Sequence, residues 1–190
     1  MKNKAVFFDR DKTIILPNND NYIYRVGDFY IPEEYVAALR NLTENNYLLF
    51  VVTNQGRVAK GYLTEDDVNE VHRYMDKYFR QFGVEIKEFA YCPHNPEGNI
   101  EPYNILCSCR KPESEMIEKL IQKYHIDVSE SWMIGDSRKD VIAGNSAGLK
   151  TILVQTGYFN TFSEADFVEE NFSFAAKRIL TAGIKNNYNK

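Results

Sequence analysis

Four short apolar runs in this chain each stop on a cluster of polar residues, and that repeated pattern constrains the fold more than any other feature. Ala5-Val6-Phe7-Phe8 leads into Asp9-Arg10-Asp11, and Leu48-Leu49-Phe50-Val51-Val52 into Thr53-Asn54-Gln55. Ser131-Trp132-Met133-Ile134 leads into Gly135-Asp136-Ser137, and Thr151-Ile152-Leu153-Val154 into Gln155-Thr156-Gly157. Unbroken β-rich runs of this length predict strands covered on both faces, as in a parallel sheet. Between them apolar residues recur at helical spacing, over Tyr35 to Leu42, Val68 to Phe82, Met116 to Tyr124 and Val141 to Ala147. Thr64-Glu65-Asp66-Asp67 offers the second of these a capping start, and Gly148 closes the last where a left-handed residue is wanted. Strand alternating with helix predicts an α/β sandwich with right-handed crossovers. Ligands then bind at the carboxyl ends of the strands, where the polar clusters lie.

A length of 190 residues predicts one domain, taken here as residues 1–182, with the polar, aperiodic stretch 183–190 as a frayed tail. Two stretches, Leu16 to Pro32 and Cys92 to Pro112, read as insertions. At 44% hydrophobic the chain can bury a sizeable core, which excludes a disordered protein. Its 23 Lys and Arg against 27 Asp and Glu leave a net charge of −4, so no basic excess favours nucleic acid or an anionic membrane. The first apolar run meets Asp9 after four residues, too soon for a signal peptide, and no stretch is apolar enough for a membrane helix. The expectation is a cytoplasmic monomer with a small-molecule partner.

All three cysteines fall in one window, as Cys92-x-His94 and Cys107-x-Cys109. Three thiolates and an imidazole match the set that closes a tetrahedral structural zinc site. Pro93, Pro96, Gly98 and Pro102 make the intervening segment loop-like, so a zinc ion would supply order that the loop lacks. With four protein ligands the shell is full, and the ion is structural. His72, within a helical pattern, and His125, near a helix end, have no such spacing and are expected at the surface.

Asp9 and Asp11 flank one residue at a strand end, and a turn there can bring both into one cavity. Paired carboxylates allow a nucleophile or metal ligand beside a separate acid/base, although a solvated turn would look the same in isolation. Thr53-Asn54 adds a hydroxyl and backbone N–H donors, Gly135-Asp136 a third carboxylate at a sharp turn, and Arg110-Lys111-Pro112 fixed positive charge before a helix. Acids for a divalent cation, donors for oxyanions and a cation together describe phosphoryl chemistry.

The order Phe8-Asp9-Arg10-Asp11-Lys12-Thr13, Val52-Thr53-Asn54-Gln55, Cys92-Pro93-His94, Cys107-Ser108-Cys109-Arg110-Lys111-Pro112 and Ile134-Gly135-Asp136-Ser137 resembles the haloacid dehalogenase (HAD) phosphatases. The likeness runs from about Ala5 to Gly157 and is strongest to the zinc-bearing group of heptose-bisphosphate and histidinol phosphatases. It implies a three-layer HAD-like (Rossmannoid) sandwich with a minimal cap and a zinc loop over 92–112. It further implies Asp9 as the nucleophile that forms an aspartyl-phosphate and Asp11 as the acid/base. Mg²⁺ would be held by Asp9, the Asp11 carbonyl and Asp136. Thr53, the Asn54 N–H and Lys111 would grip the phosphate, with Asp140 as outer support and Arg110 as a substrate contact. Lys12 departs from the family, which usually has glycine there. Either the backbone is ordinary at that point, or strain is accepted for a second ammonium near the site, or catalysis is impaired.

Gly56-Arg57-Val58-Ala59-Lys60-Gly61-Tyr62 is more similar to the heptose-bisphosphate branch than to the histidinol-phosphate branch. The resemblance therefore favours removal of the 7-phosphate of D-glycero-D-manno-heptose 1,7-bisphosphate. Histidinol phosphate is the alternative substrate, and a non-catalytic phosphate-binding module the alternative class. Arg57 and Lys60 either meet a second phosphate or merely solvate the start of the next helix. Residues Asn18 to Phe29, with Tyr22, Tyr24 and Arg25, are long enough to cover the site and select the sugar.

Overall fold

The computed structural model describes residues 2–19, 22–156 and 163–187. Strands β1 (Lys4–Phe8), β4 (Tyr47–Asn54), β5 (Ile86–Cys92), β6 (Trp132–Gly135), β7 (Lys150–Val154) and β8 (Phe167–Glu169) form one sheet in the order β5-β4-β1-β6-β7-β8. Every pair in it is parallel. Two short strands, β2 (Leu16–Pro17) and β3 (Phe29–Tyr30), pair antiparallel as a separate hairpin. The chain builds outward from β1 in one direction through β4 and β5, then returns to the other side of β1 through β6. The order reverses there, and a crevice opens at the carboxyl ends of β1, β4 and β6.

Both faces of the sheet are buried, because alternate residues of each inner strand point to opposite sides. Val6, Phe8, Leu49, Val51, Ile134 and Ile152 face a core shared with α1 (Glu33–Glu44), α2 (Glu65–Arg80) and α5 (Phe172–Asn187). Ala5, Phe7, Phe50, Val52 and Met133 face a second core with α3 (Glu115–Tyr124) and α4 (Arg138–Ser146). Phe7 and Phe50 stack across it at 5.0 Å. This is the expected three-layer sandwich.

The expected helix starts and stops hold for α2 and α4. Thr64 accepts from the Asp67 N–H while Asp67 accepts from the Thr64 N–H, a reciprocal cap. Gly148 takes φ +77° after α4. Phe82, read as helical, lies beyond the end of α2 and is exposed. The stretch read as a tail is helical through Asn187, and residues 188–190 lie outside the described residues.

Candidate active site

The carboxyl end of β1 continues into Asp9, whose N–H donates to the Ile134 carbonyl at 3.0 Å and carries the ladder one residue further. The chain then folds back tightly, with the Ile14 and Ile15 N–H groups donating to the Arg10 carbonyl. Lys12 stands at φ +61°, in the left-handed region that favours glycine. The backbone is therefore not ordinary there. The turn is held by the Lys12 N–H on the Ile15 carbonyl at 2.8 Å and by Thr156 Oγ1 donating to the Lys12 carbonyl.

Asp136 follows β6, and Asp140 sits in the first turn of α4. Asp140 Oδ2 accepts from the Ser137 N–H at 3.1 Å and from Ser137 Oγ at 2.7 Å. A Cβ on Gly135 would lie 2.4 Å from that same oxygen, so only glycine lets the strand end pass this close to the helix. One carboxylate oxygen from each of Asp9, Asp136 and Asp140 falls within 4.8 Å of the other two.

Lys111, 2% exposed, lies among these acids. Its Nζ donates to Asp140 Oδ1 at 2.5 Å and to the Val52 carbonyl at 2.6 Å, and stands 2.9 Å from Asp9 Oδ1. The loop bearing it docks on the end of β4 through two reciprocal bonds. The Lys111 N–H donates to Asn54 Oδ1, and Asn54 Nδ2 donates to the Lys111 carbonyl. Burial works against the ammonium, but Asp140 and Asp9 together hold its pKa above the ordinary lysine value.

The acids respond in the opposite sense. Burial pushes Asp9 up to about 6, with Lys111 pulling down and Asp140 and Asp11 pushing further up. Burial and the charges of Asp9 and Asp140 push Asp136 up to about 8. Asp9 Oδ1 is buried and has no aligned hydrogen bond; its contact with Lys111 is an ion pair alone. Three converging carboxylates, one oxygen of each within 4.8 Å of the others, fit a hard divalent cation that takes oxygen ligands. One lysine is too little positive charge for three carboxylates.

The four thiol and imidazole groups also converge. Cys92, Cys107 and Cys109 Sγ atoms lie 3.0–3.4 Å apart, and His94 Nδ1 lies 3.3 Å from Cys109 and 3.7 Å from Cys92. These separations are far beyond the about 2.05 Å of a disulfide, and the thiols are free. One ion can sit at the centre of such a set, and the soft donors suit zinc. Arg110, next in the chain, donates to the His94 carbonyl at 2.9 Å, which ties the clip to the pocket.

These groups line a cavity of about 440 Å³, within the range of small-molecule sites. Asp9, Asp11, Thr53, Asn54, Lys111, Asp136 and Asp140 line its floor, with Lys12, Arg57, Lys60, Arg110 and Lys139 around it. The structure thus brings the residues read from the sequence into one pocket, apart from the metal clip beside it. Tyr22 and Ile23, from the segment expected to cover the site, do line it; residues 20 and 21 of that segment lie outside the described residues. The Arg57 guanidinium lies 3.2 Å over the Tyr22 ring, near Tyr24 and Tyr62 as well, and donates to Tyr24 Oη at 2.6 Å. Lys60 stands 3.8 Å from Glu97, partly in solvent.

Around the pocket, the structure departs from the sequence expectation at His72. His72 is buried, 6% exposed, and forms part of the inner face of α2 with Val68, Val71, Met75 and Phe79. The spacing of four from Val68 and three from Met75 carried that signal. His125 is exposed, as expected, at the left-handed cap of α3. The sequence pattern gives Arg10 and Gln55 no role, yet both are buried and hydrogen-bonded to Asp11.

Comparison with known proteins agrees with this geometry. A family model described as HAD-hydrolase-like matches residues 108–179. The D-glycero-beta-D-manno-heptose-1,7-bisphosphate 7-phosphatase of Haemophilus ducreyi is 40% identical over 83% of this chain and 86% of its own. The D-glycero-alpha-D-manno-heptose-1,7-bisphosphate 7-phosphatase of Photorhabdus laumondii is 29% identical over 94% and 97%. A crystal structure of D,D-heptose 1,7-bisphosphate phosphatase from B. bronchiseptica, complexed with magnesium and phosphate, superposes with a TM-score of 0.80 at 25% identity, covering 94% of this chain and 99% of that one. No described helix is long and apolar enough to cross a membrane. With that strand order, that pocket and relatives of this similarity, the chain belongs to the HAD-like hydrolases, in the family of heptose-1,7-bisphosphate 7-phosphatases.

Proposed function

We propose that this protein is a Mg²⁺-dependent phosphomonoester hydrolase that removes the 7-phosphate of D-glycero-D-manno-heptose 1,7-bisphosphate through an aspartyl-phosphate on Asp9. The observation that carries the reading is the buried cluster of Asp9, Asp136 and Asp140 around Lys111, at the floor of a base-lined pocket. Asp9 and Asp136, with the Asp11 carbonyl, are the ligands assigned to Mg²⁺. Bound there, the ion supplies positive charge to the phosphoryl oxygens and keeps both carboxylates ionised.

An Asp9 oxygen attacks phosphorus in line, forming one P–O bond as the bond to the sugar oxygen breaks. Asp11 gives its proton to that departing oxygen. Asp11 then takes a proton from the water that attacks the phosphoryl group, which releases phosphate and returns Asp9 to a carboxylate. Thr53, the Asn54 N–H and Lys111 stabilise the charge spread over the non-bridging oxygens, the largest contribution in chemistry of this type. Asp140 orients the Lys111 ammonium. Arg110 contacts the substrate.

Zinc on Cys92, His94, Cys107 and Cys109 is assigned a structural role, fixing the loop that delivers Arg110 and Lys111. Three thiol ligands suit a reducing compartment, and we place the enzyme in the cytosol as a single-domain monomer. Steady-state assays with Mg²⁺ on both anomers of heptose 1,7-bisphosphate, on heptose 7-phosphate and on histidinol phosphate test the assignment. The expected order puts a heptose bisphosphate first in kcat/KM. A preference for histidinol phosphate, or no phosphate release from any of them, contradicts it.

A further inference from the structure

Arg10 is the bulkiest fully buried side chain among the described residues, 1% exposed, and it stands between the two aspartates of the β1 turn. Its Nε donates to Asp11 Oδ1 at 2.8 Å, and its Nη2 donates to Asp11 Oδ2 at 3.2 Å and to Gln55 Oε1 at 2.9 Å. Its Nη1 meets His72 Nε2 at 3.2 Å. A guanidinium can only donate, so the imidazole accepts through Nε2 and carries its proton on Nδ1. Burial, and then the adjacent guanidinium, push the His72 pKa down to about 3, which keeps the ring neutral. The ring is also held sideways, stacked on Phe89 at 4.9 Å and edge-on to Tyr91 at 5.6 Å. A rigid point on α2 therefore reaches the turn that carries Asp11.

A buried guanidinium needs acceptors on all sides. Between giving its proton to the sugar oxygen and taking one from water, Asp11 is a carboxylate that supplies two of them and the compensating charge. When Asp11 carries a proton towards the sugar oxygen, those two contacts weaken, and the neutral acceptors on His72 and Gln55 remain to hold Arg10. Gln55 also donates from Nε2 to Asp11 Oδ2 at 3.1 Å and to Thr53 Oγ1 at 2.9 Å, so it shares its duties with the floor of the pocket. Among the described residues, His72 makes a single polar contact, the one to Arg10.

We infer that His72 is a positioning residue for the acid/base Asp11, acting through Arg10 from outside the pocket. This rests on the acid/base reading of Asp11 given above. A misplacement of about 1 Å at such a group costs on the order of 100-fold in rate, so a partial loosening is expected to cost about tenfold.

Leaving-group dependence separates this role from a merely structural one. A sugar alkoxide must be protonated as it departs, whereas p-nitrophenolate departs without help. The value of kcat/KM reports steps up to that departure. It is measured with Mg²⁺ for heptose 1,7-bisphosphate and for p-nitrophenyl phosphate, in the wild type and in Asp11→Asn, His72→Gln and His72→Met. Gln places an acceptor where Nε2 stood, and Met matches the length without a strong acceptor. In His72→Met the sugar-to-nitrophenyl ratio is expected to fall about tenfold, and in His72→Gln to return most of the way to wild type. Equal losses on both substrates, or no loss, overturn the inference. If Asp11→Asn itself leaves the ratio unchanged, the acid/base reading fails instead. Should His72→Met not fold at the assay temperature, His72→Asn, whose amide falls one methylene short of Arg10, takes its place with the same expectation.

Discussion

Two clusters in this molecule can each hold a cation, and they get their order from opposite sources. Asp9 and Asp136 extend fully buried strands, and Asp140 is pinned by the cap of α4. Their positions follow from the apolar core, whether or not an ion is bound. The thiol and imidazole groups instead hang from the loop between β5 and α3. Tyr91, just before that loop, and Tyr103, within it, pack with Tyr24 on a small apolar cluster of Val58, Leu63 and Val68. The carboxylate floor is a site that the fold builds at an electrostatic cost. The thiol clip is a set of soft donors on a loop, where a bound ion would add its binding free energy to the local fold.

The sharpest separation of the two comes from Asp9→Asn. Turnover should fall by at least about a thousandfold, as for loss of a nucleophile. The thermal midpoint of the metal-free protein should hold or rise, because one of three crowded like charges is gone. If phosphate release in the variant stays near the wild-type rate, the protein is not using Asp9 as assigned.

Cys109→Ser, kept in saturating Mg²⁺, should do the reverse. Limited proteolysis should begin within 92–112 while the sheet stays resistant. Activity should fall by about 10- to 100-fold, through displacement of Arg110 and Lys111 rather than loss of a reacting group. Uniform loss of stability across the whole chain would show that the clip is part of the core after all.

Titration offers a third contrast. A carboxyl whose pKa is raised on folding binds more protons folded than unfolded, so its stability contribution declines as pH rises. Without divalent cation, Asp9 and Asp136 should together cost a few kcal/mol as pH climbs from about 4, the unfolded value, through their folded values of about 6 and about 8. The thermal midpoint gained on adding Mg²⁺ should accordingly be larger at pH 8.5 than at pH 5.5, and an equal gain would count against the charge crowding. His72 has the opposite sign. Its folded pKa of about 3 means that stability falls as pH drops below about 6.5, where the unfolded ring protonates. His72→Gln should flatten that acid limb.

The smallest effect concerns Lys12. Relief of a left-handed lysine gains about 1–2 kcal/mol, and the added freedom of an unfolded glycine returns about 0.5–1. Lys12→Gly should therefore raise unfolding stability by about 0 to 1.5 kcal/mol in a denaturant titration. A loss would show that the side chain contributes more than the strain costs.

The inner strands and the polar clusters that follow them were legible because a strand covered on both faces must be continuously apolar. Strand β5 was not, since it lies at the sheet edge with Lys87 exposed and Phe89 to Tyr91 only partly covered. The last helix was missed for a related reason. Its charged and polar end hides an apolar face that packs Phe172, Ala175, Ala176 and Ile179 against α1 and the sheet. The acids, the threonine and the lysine of the pocket could be named from their places after strands and before a helix. Contacts between residues far apart in the chain could not be, such as Asn54 with Lys111 or Arg10 with His72. His72 shows where residue type misled: a polar side chain was assigned to the surface although its angular position on α2 was apolar.

In the proposed reaction Asp9 takes the phosphoryl group onto its own carboxylate. Acid quench of the enzyme during turnover of heptose 1,7-bisphosphate with Mg²⁺, followed by borohydride reduction and peptide mass analysis, tests it most directly. The expected result is reduction of the phosphorylated carboxyl to an alcohol at Asp9 and nowhere else. Rapid turnover with Asp9 unmodified, or modification at Asp11 or Asp136, would contradict it.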